Sequence, residues 1–473
     1  EDLLQILKIF EIPKTANLLV LDPEKISDLV LGIPWRIRFQ CPMGYLGFIC
    51  SYLLLTTREK GRRLLDEAEE HFGAEPGITE DGRRAIQGEI EVCRGMMAYN
   101  AVEALCKHYE KAYKLLRGPS RLITGRYLWA FSYVTTVHSL FKEGDFLPHI
   151  KLLQDKRECI EGLAGELSAG VYELLLAEYM LETGEYKEAE VLIRKSLYKS
   201  AGKGQFLTTL ARTYTWCRLL IAQGEPEKAW EEFGNLQATV EKINSLLILR
   251  NYQFYSGLLA VILNKAEGIH DWMLELSDAG LHGGFFAEGV LLFVRCKSLL
   301  TVKDWQSLDI VLEDAHRHID MPSVYYLSHR IHLLVLLAIN ENHKHNIELS
   351  LEYLYRAVNM ARSDNLVTII AEYGVHIEAL LGQLLKMHPG DVFVARLVKR
   401  IRRYTKLELA KNQNLSQREQ YVLEKAQNGE SNREIARQLG IASASVGNIL
   451  SRIYRKLGIT VKGGSRKNKG RQL

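Results

Sequence analysis

Along almost the whole chain, apolar residues return at three- and four-residue intervals, the spacing that gathers them on one face of an α-helix. Strict apolar–polar alternation, the mark of a half-buried strand, is nearly absent, so an all-α fold is predicted. The longest predominantly apolar stretches, Tyr45–Leu55 and Leu333–Ile339, are well short of the roughly 20 residues that cross a bilayer. No signal peptide is visible, and the expected location is the cytoplasm, away from any membrane.

A longer period lies over the helical one. Glu182-Thr-Gly-Glu-Tyr-Lys-Glu-Ala189 is echoed forty residues on by Ala222-Gln-Gly-Glu-Pro-Glu-Lys-Ala229, and forty earlier by Lys142-Glu-Gly-Asp-Phe-Leu147. In this pattern a glycine permits a tight turn between two helices, an aromatic or proline seats the second helix, and a small residue lets the pair approach closely. The register steps outward to Thr56, Asn100, Gly144, Gly184, Gly224, Asn264, Lys303 and His345, at intervals of 39 to 44 residues. Eight helix pairs are therefore predicted over residues 41–390 as a tetratricopeptide-like superhelix, behind a helical lead-in over 1–40.

Solenoids bind along the concave face, which the first helix of each pair lines. Counting back from each turn places Phe131, His138, Glu178, Tyr214, Arg218, Asn251, Phe254, Lys297 and His332 there. Rings beside charged and amide groups suit a small polar effector, such as a sugar, or a peptide. Phe131, Glu178, Tyr214, Arg218, Asn251 and Phe254 are the expected effector contacts.

The last quarter of the chain changes character. A basic connector helix is expected over 391–412, including Arg396-Leu-Val-Lys-Arg-Ile-Arg-Arg-Tyr-Thr-Lys406. Ser416-Gln-Arg-Glu419 and Ser431-Asn-Arg-Glu434 are both capping boxes, in which hydroxyl and carboxylate satisfy the free amides of a first helical turn. The first opens a helix carrying Val422, Leu423 and Ala426, and it stops at Asn428-Gly429. The second opens a short helix through Ile435, Ala436 and Leu439, and Gly440 makes the turn. Ser443 is expected to cap a third helix with Val446, Ile449, Leu450, Ile453 and Leu457 inward.

Two helices on a tight glycine turn form a helix-turn-helix, so 413–461 is predicted to bind double-stranded DNA ahead of a basic tail over 462–473. The third helix leaves Ala444, Gly447, Asn448, Ser451, Arg452 and Arg455 outward. The expected DNA contacts are Asn432, Arg433, Arg437, Ser443, Ser445, Asn448, Ser451, Arg452 and Arg455. Asn448 is suited to an adenine edge, and the arginines to phosphate.

Charge agrees with this division. Residues 396–473 hold 19 Lys and Arg against 5 Asp and Glu, a net of +14, while the remainder is at −10. A basic end on an acidic body is the footprint of a domain that sits on phosphate. The seven cysteines are scattered and never form a C-x-x-C pair, so they read as reduced core thiols. Neither a nucleophile motif nor metal-spaced histidines support an enzyme or a metal site.

Leu415-Ser-Gln-Arg-Glu419, Gly429-Glu-Ser-Asn-Arg-Glu-Ile-Ala436, Leu439-Gly-Ile441 and Ile453-Tyr-Arg-Lys-Leu-Gly458 together closely resemble the LuxR-type helix-turn-helix signature. Gln87-Gly-Glu-Ile90 before Arg94, Ala357-Val-Asn-Met-Ala361 and Ala371-Glu-Tyr-Gly374 resemble the superhelix of the large MalT-like regulators, more loosely. This resemblance implies a signal-gated activator in the nucleoid. Such proteins bind an inducer on the superhelix, self-associate on DNA and work with RNA polymerase. It also implies an ATP-binding domain, but no phosphate-binding G-x-x-x-x-G-K-[ST] is present, so ATP would be held upstream of Glu1 and no cofactor is expected in this chain. The chain starts at Glu1 rather than Met, which hints at such an upstream part.

Two departures bear on function. Where the family has Thr-Val-Lys-x-His, this chain has Ser445-Val-Gly-Asn-Ile449, and its tail after Gly458 has no apolar helical face for the fourth helix. A second reading therefore stands beside the regulator: a tetratricopeptide scaffold whose degenerate helix-turn-helix contacts protein in place of DNA.

Overall fold

The computed structural model describes residues 2–11, 23–53, 56, 58–98, 101–124, 143–202, 205–265, 268–270, 273, 288–317, 319, 327–413, 416–427 and 430–456. Among them every regular element is helical and no strand occurs, so the protein is an all-α helical-repeat array followed by a helix-turn-helix domain.

The repeated unit is a helix hairpin. Val171–Thr183 packs on Tyr186–Ser200, Phe206–Gln223 on Pro226–Gly234, Glu288–Val302 on Trp305–His316, and Leu327–His343 on Ile347–Ser363. One turn recurs. Gly144, Gly184, Gly224, Asn264, Lys303 and His345 all take left-handed backbone, with φ of 83°, 80°, 98°, 52°, 59° and 65°. The next amide then reaches back to close the helix end, as Glu185 N–H does to the Met180 carbonyl at 2.7 Å and Asp304 N–H to Leu299 at 2.9 Å. Asn100, a further expected turn position, lies outside the described residues.

Five residues beyond the turns at Gly184, Gly224 and His345 the helices touch, and small side chains stand there. Ala189 and Ala229 are fully buried, and the Cys217 thiol donates to the Ala229 carbonyl at 3.1 Å. Ser350 fills the same place and donates to the Ala338 carbonyl at 2.7 Å. All seven cysteines are unpaired and buried, as core thiols should be.

The chain beyond Ser363 returns to the hairpin at Gly184, some 180 residues away in sequence. Val367 N–H donates to the Glu182 carbonyl at 2.7 Å, and the Thr368 hydroxyl donates to Leu181 at 2.5 Å. Asp364 accepts from the amides of Gly144 and Phe146 at 2.7 and 2.8 Å. The connector helix, Val392–Gln413, is fastened at the same place: Arg396 donates to the Thr183 carbonyl, and Arg400 to Gly184 at 2.5 Å while lying over the Tyr186 ring.

Candidate nucleic-acid interface

Residues 416–456 build their own core, in which Val422, Ala426, Ile435, Ala436, Val446, Leu450 and Ile453 are buried together. Both capping boxes form. Ser416 N–H donates to Glu419 Oε2 at 2.7 Å, and Glu419 N–H returns to Ser416 Oγ at 3.3 Å. Ser431 N–H donates to Glu434 Oε2 at 2.7 Å, and these bonds hold the Glu434 carboxyl below its usual range. Gly440, at φ 63°, is the C-cap that turns the Asn432–Leu439 helix toward Ser443–Lys456.

Ser443 corrects one expectation. The first turn of the third helix closes on the Ala442 carbonyl, through the amides of Ser445 at 2.9 Å and Val446 at 3.4 Å. Ser443 is thus the first helical residue, not the cap, which leaves its hydroxyl free of a capping role.

Asn448, Ser451 and Arg452 point outward from the third helix, and Arg433 and Arg437 are exposed on the second. Asn432, Ser443 and Ser445 are half-buried near the junction of these helices, and the Arg455 side chain lies outside the described residues. Arg452 is not wholly at liberty, since its Nε stands 4.0 Å from the nearly buried Glu419. Spacing alone did not suggest this proximity. Gly447 is not required by packing: a Cβ there would meet only the Asn432 amide, at 3.8 Å.

The expected effector residues that the structure describes are under cover. Glu178, Tyr214, Arg218, Asn251 and Phe254 are all buried, and Phe131 and His138 lie outside the described residues. Arg218 joins Glu182 at 2.6 Å and Glu372 at 2.7 Å in a buried triad. Lys297 lies over the Tyr373 ring at 4.3 Å, and His332 Nδ1 is 2.9 Å from the Tyr373 hydroxyl. Where an open groove was expected near Arg218, the chain's own Glu372 and Tyr373 fill the space. Burial, reinforced by the Glu372 charge, outweighs Arg218 and raises the Glu182 carboxyl above its ordinary value. Ala371-Glu-Tyr-Gly374 stood out in the sequence, but nothing in its spacing showed what it would face.

The described residues contain no cluster of side chains able to hold a metal ion and no helix long and apolar enough to cross a membrane. The capped pair of helices on a glycine turn, with a third face left outward, defines a helix-turn-helix DNA-binding domain. Residues 413–462 match the family described as bacterial regulatory proteins, luxR family. No curated protein matches the chain.

Proposed function

We propose that the chain is a sequence-specific DNA-binding transcription regulator whose helical-repeat region senses an effector or partner and controls promoter binding. The observation that carries this is the outward face of the Ser443–Lys456 helix, where Asn448, Ser451 and Arg452 project from a formed helix-turn-helix core. Asn448 is the base reader on this face. Arg433, Arg437, Arg452 and Arg455, with the hydroxyls of Ser443, Ser445 and Ser451 and the Asn432 amide, hold backbone. So few base readers give one domain weak discrimination, which favours self-association on repeated half-sites. The family resemblance supports activation through RNA polymerase. The connector helix that precedes the reader is fastened to the repeat array at the Gly184 turn, which supports control of the one by the other.

The test is an anisotropy titration of the full chain on duplex DNA across a range of salt. Log affinity should fall linearly against log salt, by roughly 0.9 per phosphate contact. Absence of binding at low salt would hand the molecule to the scaffold reading.

A further inference from the structure

The connector helix, Val392–Gln413, divides its cations between two sides. Phe393, Val394, Leu397, Ile401 and Tyr404 are buried in the core of the array. Beside that seam Arg396 and Arg400 are spent on the array itself. Arg396 donates to the Thr183 carbonyl, Glu185 and Asn365, and Arg400 to the Gly184 carbonyl while lying over the Tyr186 ring. The opposite side differs. With roughly 3.6 residues per turn, Ala395, Lys399 and Arg402 fall together there, about half a turn from the buried seam. All three are exposed. No carboxylate among the described residues pairs with Lys399 or Arg402, although residues 1–395 carry a net charge of −10.

We propose that Lys399 and Arg402 bind the DNA backbone beside the half-site that the helix-turn-helix reads, which makes the connector part of the DNA interface. Charge, spacing and continuity identify the partner. Two cations three residues apart on a helix are neighbours, with Cβ atoms roughly 5–6 Å apart, and their long side chains can reach successive phosphates of one strand. The third member of the stripe is Ala395, so the stripe offers charge without base readout. At about 1.5 Å per residue, Arg402 and Lys399 lie roughly 17 and 21 Å along the axis from Gln413. The reader's first capping box follows at Ser416. Both distances are shorter than the roughly 34 Å of one duplex turn, which puts phosphates flanking the half-site within range. The sequence adds Arg403, Lys406 and Lys411 before the reader.

The proposal rests on the DNA-binding reading above, and the two fail differently. The full chain and its Lys399→Gln, Arg402→Gln double variant are titrated by anisotropy against a random-sequence duplex of about 30 base pairs across a range of salt. The slope of log affinity on log salt should become shallower by about 1.8, two contacts at about 0.9 each, and affinity at about 0.1 M salt should fall about tenfold or more. On a duplex of about 12 base pairs, which the reader alone covers, the two proteins should bind alike. Arg62→Gln with Lys107→Gln removes the same charge from exposed positions of the N-terminal helices and should leave the slope unchanged. All four positions are exposed, so urea melts of both variants should match wild type. An unchanged slope in the connector variant, or an equal loss on both duplexes, overturns the proposal and leaves the stripe to an acidic protein surface. The same loss in the Arg62 and Lys107 variant also overturns it, because overall charge and not contact would be the cause. No binding by the wild-type chain at low salt removes the DNA-binding reading itself, and this proposal with it.

Discussion

At the scale of single residues, the reading face is thin, and that thinness has consequences. Asn448 is exposed in the first half of the recognition helix, and its amide matches the paired donor and acceptor of an adenine edge. Ala444 can offer only a methyl contact, and Gly447 no side chain. Asn448→Ala should therefore cost about 1–3 kcal/mol on a preferred site and little on random DNA. Arg452→Ala should weaken both by similar factors, as loss of a phosphate contact does. Competition binding on the two DNAs decides it: equal losses for Asn448→Ala would show that it reads no base. The face itself was legible from the helical spacing of the apolar residues behind it. The leaning of Arg452 on Glu419 was not, because it depends on how one helix crosses another.

At the scale of elements, the inter-helix turn explains how much of the array could be read in advance. Its signal is a backbone requirement, left-handed φ, that Gly184 and Gly224 announce in sequence. Asn264, Lys303 and His345 meet the same requirement with side chains that disguise it, and only the period of about forty residues reveals them. Non-glycine residues carry a steric cost in this conformation, of roughly 1–2 kcal/mol, partly offset by the greater freedom glycine has when unfolded. Lys303 is exposed, so Lys303→Gly should gain up to about 1 kcal/mol in a urea melt. Gly184→Ala should lose stability, since its φ is 80° and a Cβ would stand 3.1 Å from the Arg400 guanidinium. A gain for Gly184→Ala would remove the turn's conformation as the cause of the repeat signature.

At the scale of the whole molecule, the decisive event is the return of residues 364–404 onto the hairpin at Gly184. Helical periodicity marked Arg218, Lys297 and His332 as sharing a face, and they do converge, on Glu372 and Tyr373. What it could not say is that the face would be filled from within, because Arg218 meets Glu372 from 154 positions away in sequence. The Arg218 triad makes this closure testable. Two buried carboxylates share one guanidinium, so Arg218→Ala leaves Glu182 and Glu372 facing each other without a cation. Breaking such an arrangement costs about 3–5 kcal/mol when the orphaned charge stays buried. The sign of the pH dependence follows from the carboxyls. With Glu182 already raised in the folded chain, its protonated form is favoured by folding. Its contribution is therefore fullest below its ordinary value and is lost as pH rises through the folded value. Without Arg218 the Glu182 carboxyl should rise further, so the variant should be weakest at neutral pH and recover part of its loss in acid. Urea melts at about pH 7.5 and about pH 5 give the comparison, with wild type alongside to subtract the remaining groups. A penalty of the same size at both values would mean that lost packing, and not stranded charge, is what Arg218 prevents.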